Sequence, residues 1–391
     1  MLTLIRGGRV FAPEDLGTKD VLIAGGKISA LAAPGAVRIE GADVEILDAS
    51  GMFVVPGLVD SHVHILGGGG EGGPTTRAPE IRIEDIAACG ITTVIGCLGT
   101  DGVTRHPESL LAKARALDLE GVSTWVFAGS YEIPVRTLTG SVRSDIILID
   151  KVVGAGEIAL SDHRSSQPSF QEFARLAAEC RVGGMLGGKA GILHLHLGDG
   201  PRRLDFLFRL VRETEIPIGQ VVPTHVNRSR ELFAQALEFA RLGGTIDLTA
   251  GAEDIPASEP DLSVVEAVRL CREGGVPPAR LTVTSDGNGS LPVFDATGKL
   301  VRLSVAGQKD FFENFRALVR RKVLGLEDAL KPFAANPAAV YKLPGKGRIA
   351  ADMDADLLVL DKDLNLRDSF GRGRRLVAAG RVVVRGTFSH S

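Results

Sequence analysis

Short apolar runs alternate with longer helical stretches along most of this sequence, and that alternation constrains the fold more than any other feature. Runs at Phe53–Val59, Thr92–Leu98, Thr124–Gly129, Glu157–Ser161, Ile192–Leu197, Gln220–Thr224, Thr245–Thr249 and Leu281–Thr284 read as strands. Between them lie amphipathic segments such as Glu108–Leu119 and Arg230–Leu242, with apolar residues three and four apart. Strands joined by helical crossovers build a parallel sheet. Eight such units predict an α/β fold closed into a (β/α)8 TIM barrel; the alternative is an open, doubly wound sheet.

The two ends have a different texture. Leu2–Phe11, Asp20–Leu31 and Val44–Asp48 carry β-type residues broken by Gly7-Gly8, Gly25-Gly26 and Gly51, and Asp356–Leu360 and Arg375–Val384 resemble them. Neither end has enough apolar surface for a core of its own. Residues 1–55 and 346–391 are therefore expected to share one small β-sandwich domain, leaving 56–345 as the barrel.

A net charge of −3 over 391 residues gives no reason to expect nucleic acid or an anionic membrane as partner. No stretch approaches the roughly 20 apolar residues that span a bilayer, and the first residues lack the pattern of an export signal. Cys89, Cys97, Cys180 and Cys271 are far apart and form no C-x-x-C pair. They read as reduced thiols of a cytoplasmic protein, packed as small hydrophobes.

The chemistry concentrates at strand ends. His62 and His64 form an H-x-H pair after the first barrel strand, and alternate residues of an extended chain face one way. His196 closes the fifth strand, His225 the sixth, and Asp286 follows the eighth. In a (β/α)8 barrel these ends share one rim, where catalytic groups are kept. Imidazole and carboxylate together suit zinc, and also manganese or iron. Two ions need a bridging ligand, which Glu157 on the fourth strand can supply; the bland alternative is a strand carboxylate held by an arginine. His194 shares the face of His196 by alternation and reads as a core histidine. His106, His163 and His390 have no assigned role, and Gly67–Gly70 reads as a flexible turn.

The run Pro56-Gly57-Leu58-Val59-Asp60-Ser61-His62-Val63-His64 resembles the opening of the amidohydrolase superfamily. Gly67 to Arg77, Gly99-Thr100-Asp101, Arg105 to Ser109, Thr139-Gly140-Ser141, Ser161-Asp162-His163-Arg164, Pro223 to Arg228 and Ser285 to Ser290 are similar to the isoaspartyl dipeptidases. The likeness runs almost the whole length and includes Asp354 to Val359.

That resemblance implies two divalent ions, zinc before the others. His62, His64 and Asp286 would hold one, His196 and His225 the second, with Glu157 shared. A water or hydroxide between the ions would attack the amide, with Asp286 as base and then acid and Tyr131 polarising the carbonyl. Glu71 would meet the substrate's amino group, and Thr100, Arg164, Arg228 and Ser290 its carboxylates. The resemblance also implies a dipeptide substrate and a homo-oligomer, an octamer in the family. Rival expectations are another amide hydrolase of the superfamily, acting on N-acyl amino acids or cyclic amides, and a catalytically silent scaffold.

One position departs from the family. Its bridging ligand is a carboxylated lysine seven residues before the arginine of Ser-Asp-His-Arg, and here that position is Glu157. Glutamate keeps the charge but is shorter. Either the strand lies closer to the metals, or one metal binds, or water fills the gap. The preceding Gly154-Ala155-Gly156 is one residue longer than the family pattern, which would let the backbone shift.

Overall fold

The structure, a computed structural model, describes residues 2–251, 261–294, 297 and 299–389. Six parallel strands lie side by side in chain order: β1 (Leu58–Val63), β2 (Ile91–Gly96), β3 (Ser123–Ala128), β4 (Val152–Leu160), β5 (Ile192–Leu197) and β6 (Val221–Thr224). β7 (Ile246–Thr249) and β8 (Leu281–Thr284) form a further parallel pair. β7 lies beside β6, and β8 beside β1, where Val63 bridges Gly287 in parallel. The parallel sheet is thus curled, with its first and last strands brought together. Among the described residues, no helix is long and apolar enough to cross a membrane.

Alternation within strands sorts the core. Ile192 packs with Val59, Ile95, Phe127, Val153, Val222 and Tyr341, while Leu193, Leu195 and Leu197 join the larger cluster under the helices. His194 and His196 therefore share the side of Ile192. The long helix Phe170–Gly187 starts at a capping box made by Ser169 and Glu172, and it buries Phe173, Ala177 and Cys180 against this sheet.

Both chain ends enter one nine-stranded sheet, in which Leu357–Leu360 pairs antiparallel with Phe53–Pro56. Its core, including Ile5, Val21, Ile23, Val54, Leu357 and Phe370, is separate from the others. The buried ammonium of Lys346 ties the two parts, donating to Ser123 Oγ at 2.6 Å and Asp356 Oδ2 at 2.7 Å.

One expectation needs correction. The apolar run Phe53–Val59 is not one strand: Phe53–Pro56 belongs to the terminal sheet and Leu58 begins β1. The chain changes partners at Gly57, whose N–H bonds Asp356 O while the next N–H bonds Gly90 O. A Cβ at Gly57 would lie 2.2 Å from Thr92 Oγ1, so only glycine passes there. A hairpin of Ser290–Phe294 and Leu300–Val305 also follows β8, and no sequence pattern announced it.

Candidate metal centre and active site

The strand ends bring the expected ligands into one buried cluster. His62 ends its ring 3.4 Å from Glu157 Oε2 and 3.5 Å from Asp286 Oδ1, both from Nε2. His64 Nε2 is 3.2 Å from Glu157 Oε1 and 3.0 Å from Asp286 Oδ1. On the other side, His196 Nδ1 and His225 Nε2 lie 3.1 and 3.5 Å from Glu157 Oε2. Glu157 thus stands between the two halves, one oxygen facing His64 and the other facing His62, His196 and His225.

A bulge aims that carboxylate. Across the β4–β5 ladder, Leu193 pairs with Ala155 but Leu195 pairs with Ile158, so β4 carries one extra residue at Gly156-Glu157. Gly156 has φ 155°, and a Cβ there would sit 2.8 Å from His194 Cβ. The Gly154-Ala155-Gly156 segment thus leads into a bulge. It re-aims Glu157 towards the histidines.

His225 and Asp286 follow β6 and β8 with φ of 62° and 51°, a left-handed turn that directs each side chain off its strand end. His225 Nδ1 meets Thr249 Oγ1 at 2.6 Å, which leaves Nε2 facing the cluster. His62 Nδ1 meets His194 Nε2 at 3.0 Å, and His194 Nδ1 meets Tyr341 OH at 2.9 Å. His194 is buried and stacked on Phe127, consistent with a core histidine, yet it also backs a candidate ligand.

Two atoms at the centre, His62 Nε2 and His225 Nε2, are buried without a hydrogen-bond partner. Leaving such groups unpaired costs free energy unless something else binds them. Three overlapping groups could hold an ion: His62, His64, Cys97 and Glu157; His62, His225 and Asp286; and Glu157, His196 and His225. The donor set fits divalent metals of the zinc type.

The electrostatics agree. Burial opposes a charge on Asp286, but the hydrogen bond from His64 and the nearby His225 and His62 outweigh it and hold the carboxyl at about 2. Burial pushes His225 down to about 3. It also lowers His194, helped by His62. Burial would lower His62 and His64 too, but Cys97 and the Glu157 and Asp286 carboxylates reverse this and raise both well above the usual imidazole range.

A polar wall flanks the cluster. Thr100 Oγ1, Ser290 Oγ and Arg164 Nη1 approach Glu71 Oε1 at 3.1, 2.8 and 3.4 Å, while Glu71 Oε2 is buried with no partner. Tyr131 OH lies 3.0 Å from His196 Nδ1, and the Arg164 guanidinium stands 5.4 Å from the Tyr131 ring centre. Arg228 is more open and lies 3.5 Å from His196 Nε2.

Sequence reasoning missed two partners here. Asp162 accepts from Arg164 Nε at 3.0 Å and Nη2 at 2.8 Å and faces His196 Nε2 at 2.9 Å, so much of the Arg164 fork is already engaged. Its place two residues before Arg164 was the available signal. Arg105 donates to the carbonyls of Leu66, Gly68, Gly69 and Ala78 at 2.9–3.2 Å. The Gly67–Gly70 segment is therefore a pinned cradle for a cation leading into Glu71, and a Cβ at Gly67 would lie 2.2 Å from Ala78 O. His106 sits apart at the surface, paired with Glu108 at 2.9 Å, and His390 lies outside the described residues.

Known proteins share this fold. A solved beta-aspartyl dipeptidase of the thermophilic keratin-degrading Fervidobacterium islandicum AW-1, in complex with beta-Asp-Leu dipeptide, superposes with a TM-score of 0.93. It is 45% identical over 100% of this chain and 99% of its own. The dihydroorotase of Lactiplantibacillus plantarum is 25% identical over 93% of this chain and 90% of its own length. D-hydantoinase, at 15% identity and a TM-score of 0.69, shares the fold. No protein-family model matches. Fold, site and relatives define a hydrolytic enzyme of the amidohydrolase superfamily. Within that superfamily, the chain belongs to the beta-aspartyl dipeptidase family.

Proposed function

We propose that this enzyme hydrolyses β-aspartyl dipeptides on a closed (β/α)8 barrel of residues 56–345, with residues 1–55 and 346–391 as a small β-sandwich domain. The observation that carries the substrate class is Glu71: one oxygen is saturated by Thr100, Ser290 and Arg164, and the other is buried and unpaired. A free ammonium fits that oxygen, and Arg228, with Arg164 beside it, suits the carboxylates of the same zwitterion. A cyclic amide, as in the dihydroorotase and hydantoinase relatives, has no ammonium and would leave Glu71 Oε2 unpaired.

His62, His64 and Asp286 would hold one ion and His196 and His225 the other, with Glu157 shared; zinc suits these donors. When bound, the ions supply Lewis acidity, polarising the amide carbonyl and lowering the pKa of water towards neutrality. Asp286, a carboxylate at neutral pH, takes a proton from the attacking water. It passes that proton to the departing nitrogen as the C–N bond breaks. Tyr131 keeps its hydroxyl proton, because burial and then Glu157 raise its pKa, and so it can donate to the carbonyl oxygen.

The four free, buried cysteines support a reducing, cytoplasmic setting. A homo-oligomer follows from the family likeness, and light scattering reads its size. The test of function is metal content per chain together with hydrolysis of β-Asp-Leu, α-Asp-Leu, an N-acyl amino acid and dihydroorotate. Selective β-Asp-Leu cleavage with about two metals per chain is expected. Cleavage of dihydroorotate or the N-acyl compound alone would overturn the substrate class.

A further inference from the structure

We infer that Cys97 is a further metal ligand of this site, binding as a thiolate beside His62, His64 and Glu157. The inference rests on the metal reading above and adds to it a sulfur donor that imidazole and carboxylate chemistry does not call for.

The placement is specific. Cys97 directly follows β2, and its N–H donates to Val63 O at 3.0 Å, which seats it beside the residue between the two histidines. Its side chain is 1% exposed. Sγ lies 3.9 Å from His64 Nδ1, and donor atoms of His62, His64, Cys97 and Glu157 all fall within 4.8 Å of one another. A zinc–sulfur and a zinc–nitrogen bond together span roughly 4.3–4.4 Å, a reach comparable to the separations within this group.

A second observation points to a ligand at the same place. His62 Nε2, from the same group, is buried, aimed into the cluster and makes no hydrogen bond. Cys89, Cys180 and Cys271 are also buried, but none belongs to a candidate metal group among the described residues. Charge balance favours the thiolate as well. Two divalent ions with Glu157, Asp286 and one hydroxide leave a net positive charge in a buried site, and one thiolate cancels it. On binding, the S–H bond breaks, its proton leaves to buffer, and a sulfur lone pair goes to the ion. Thiolate also biases the site towards zinc over manganese or magnesium.

The test is X-ray absorption at the zinc edge of the purified, zinc-loaded full chain, with Cys97→Ser as the paired variant. One sulfur scatterer per chain at about 2.3 Å is expected, lost in Cys97→Ser, where the other three thiols remain. Cobalt loading gives an independent readout, because a thiolate ligand adds a near-ultraviolet charge-transfer band that Cys97→Ser must lose. Bound zinc with nitrogen and oxygen neighbours only would overturn the Cys97 assignment and leave the metal reading standing. A chain that binds no zinc would overturn both. If Cys97→Ser does not fold, the wild-type spectra alone decide.

Discussion

His194 Nε2 lies 3.0 Å from His62 Nδ1, and Tyr341 OH closes the chain 2.9 Å from His194 Nδ1. Burial keeps His194 neutral, so its Nε2 can accept the His62 Nδ1 proton while its own Nδ1–H donates to Tyr341. Once a metal has displaced the second proton, that arrangement would leave the His62 Nε2 lone pair facing the cluster. Partners behind a ligating histidine are worth about 10–100-fold in metal affinity. His194→Ala is expected to weaken zinc binding by that factor, read by competition with a chromophoric chelator, and Tyr341→Phe by less. An unchanged affinity in His194→Ala would reduce the contact to packing.

Among the described residues, Glu157 alone brings a carboxylate within 3.5 Å of histidines from both halves of the cluster. Glu157→Gln preserves its shape and removes its charge. Metal content should fall to one ion or none, with kcat/KM falling by more than the roughly 10–100-fold of an outer partner. Full occupancy by two metals in that variant would show that the halves bind independently.

Glu71 Oε2 is held open while Oε1 is saturated, so Glu71→Gln separates charge from position. A hydrogen bond to a charged group contributes about 1.5–3 kcal/mol, which predicts a loss of roughly 10- to 100-fold in kcat/KM for β-Asp-Leu. Zinc content should not change. Equal loss on a substrate lacking the free amino group would argue against this role.

Much of this site was legible because strand ends are legible. Ile192–Leu197 alternates cleanly, so the sequence alone places His194 and His196 on one side, and the candidate ligands fall at the ends of β1, β5, β6 and β8. Cys97 was not legible, since a thiol at a strand end has the same hydrophobic signature as the leucine beside it. Nor was the break at Gly57, where two apolar runs with different partner sheets adjoin. The Gly156-Glu157 bulge showed only as one surplus residue, because a bulge is a property of the pair of strands and not of one. Arg105 escaped notice for a similar reason: its four carbonyl partners lie 27 to 39 residues away in sequence.

The protonation of the two halves predicts an asymmetric pH response. Without metal, His62 and His64 hold their protons well above the usual imidazole range, whereas His225 is neutral down to about 3. A metal needs bare nitrogens, so an ion entering at His62 and His64 must displace protons, and one entering at His225 need not. Affinity of the first half should therefore rise with pH and level off only above the raised histidine values; acidification should empty that half first. Calorimetric zinc titration of the metal-free chain in buffers of different ionisation enthalpy reads the protons directly. Net proton release at neutral pH is expected, and release should shrink in His64→Asn, which brings no proton to lose. Zinc binding with no proton release at neutral pH would mean that both histidines are already bare.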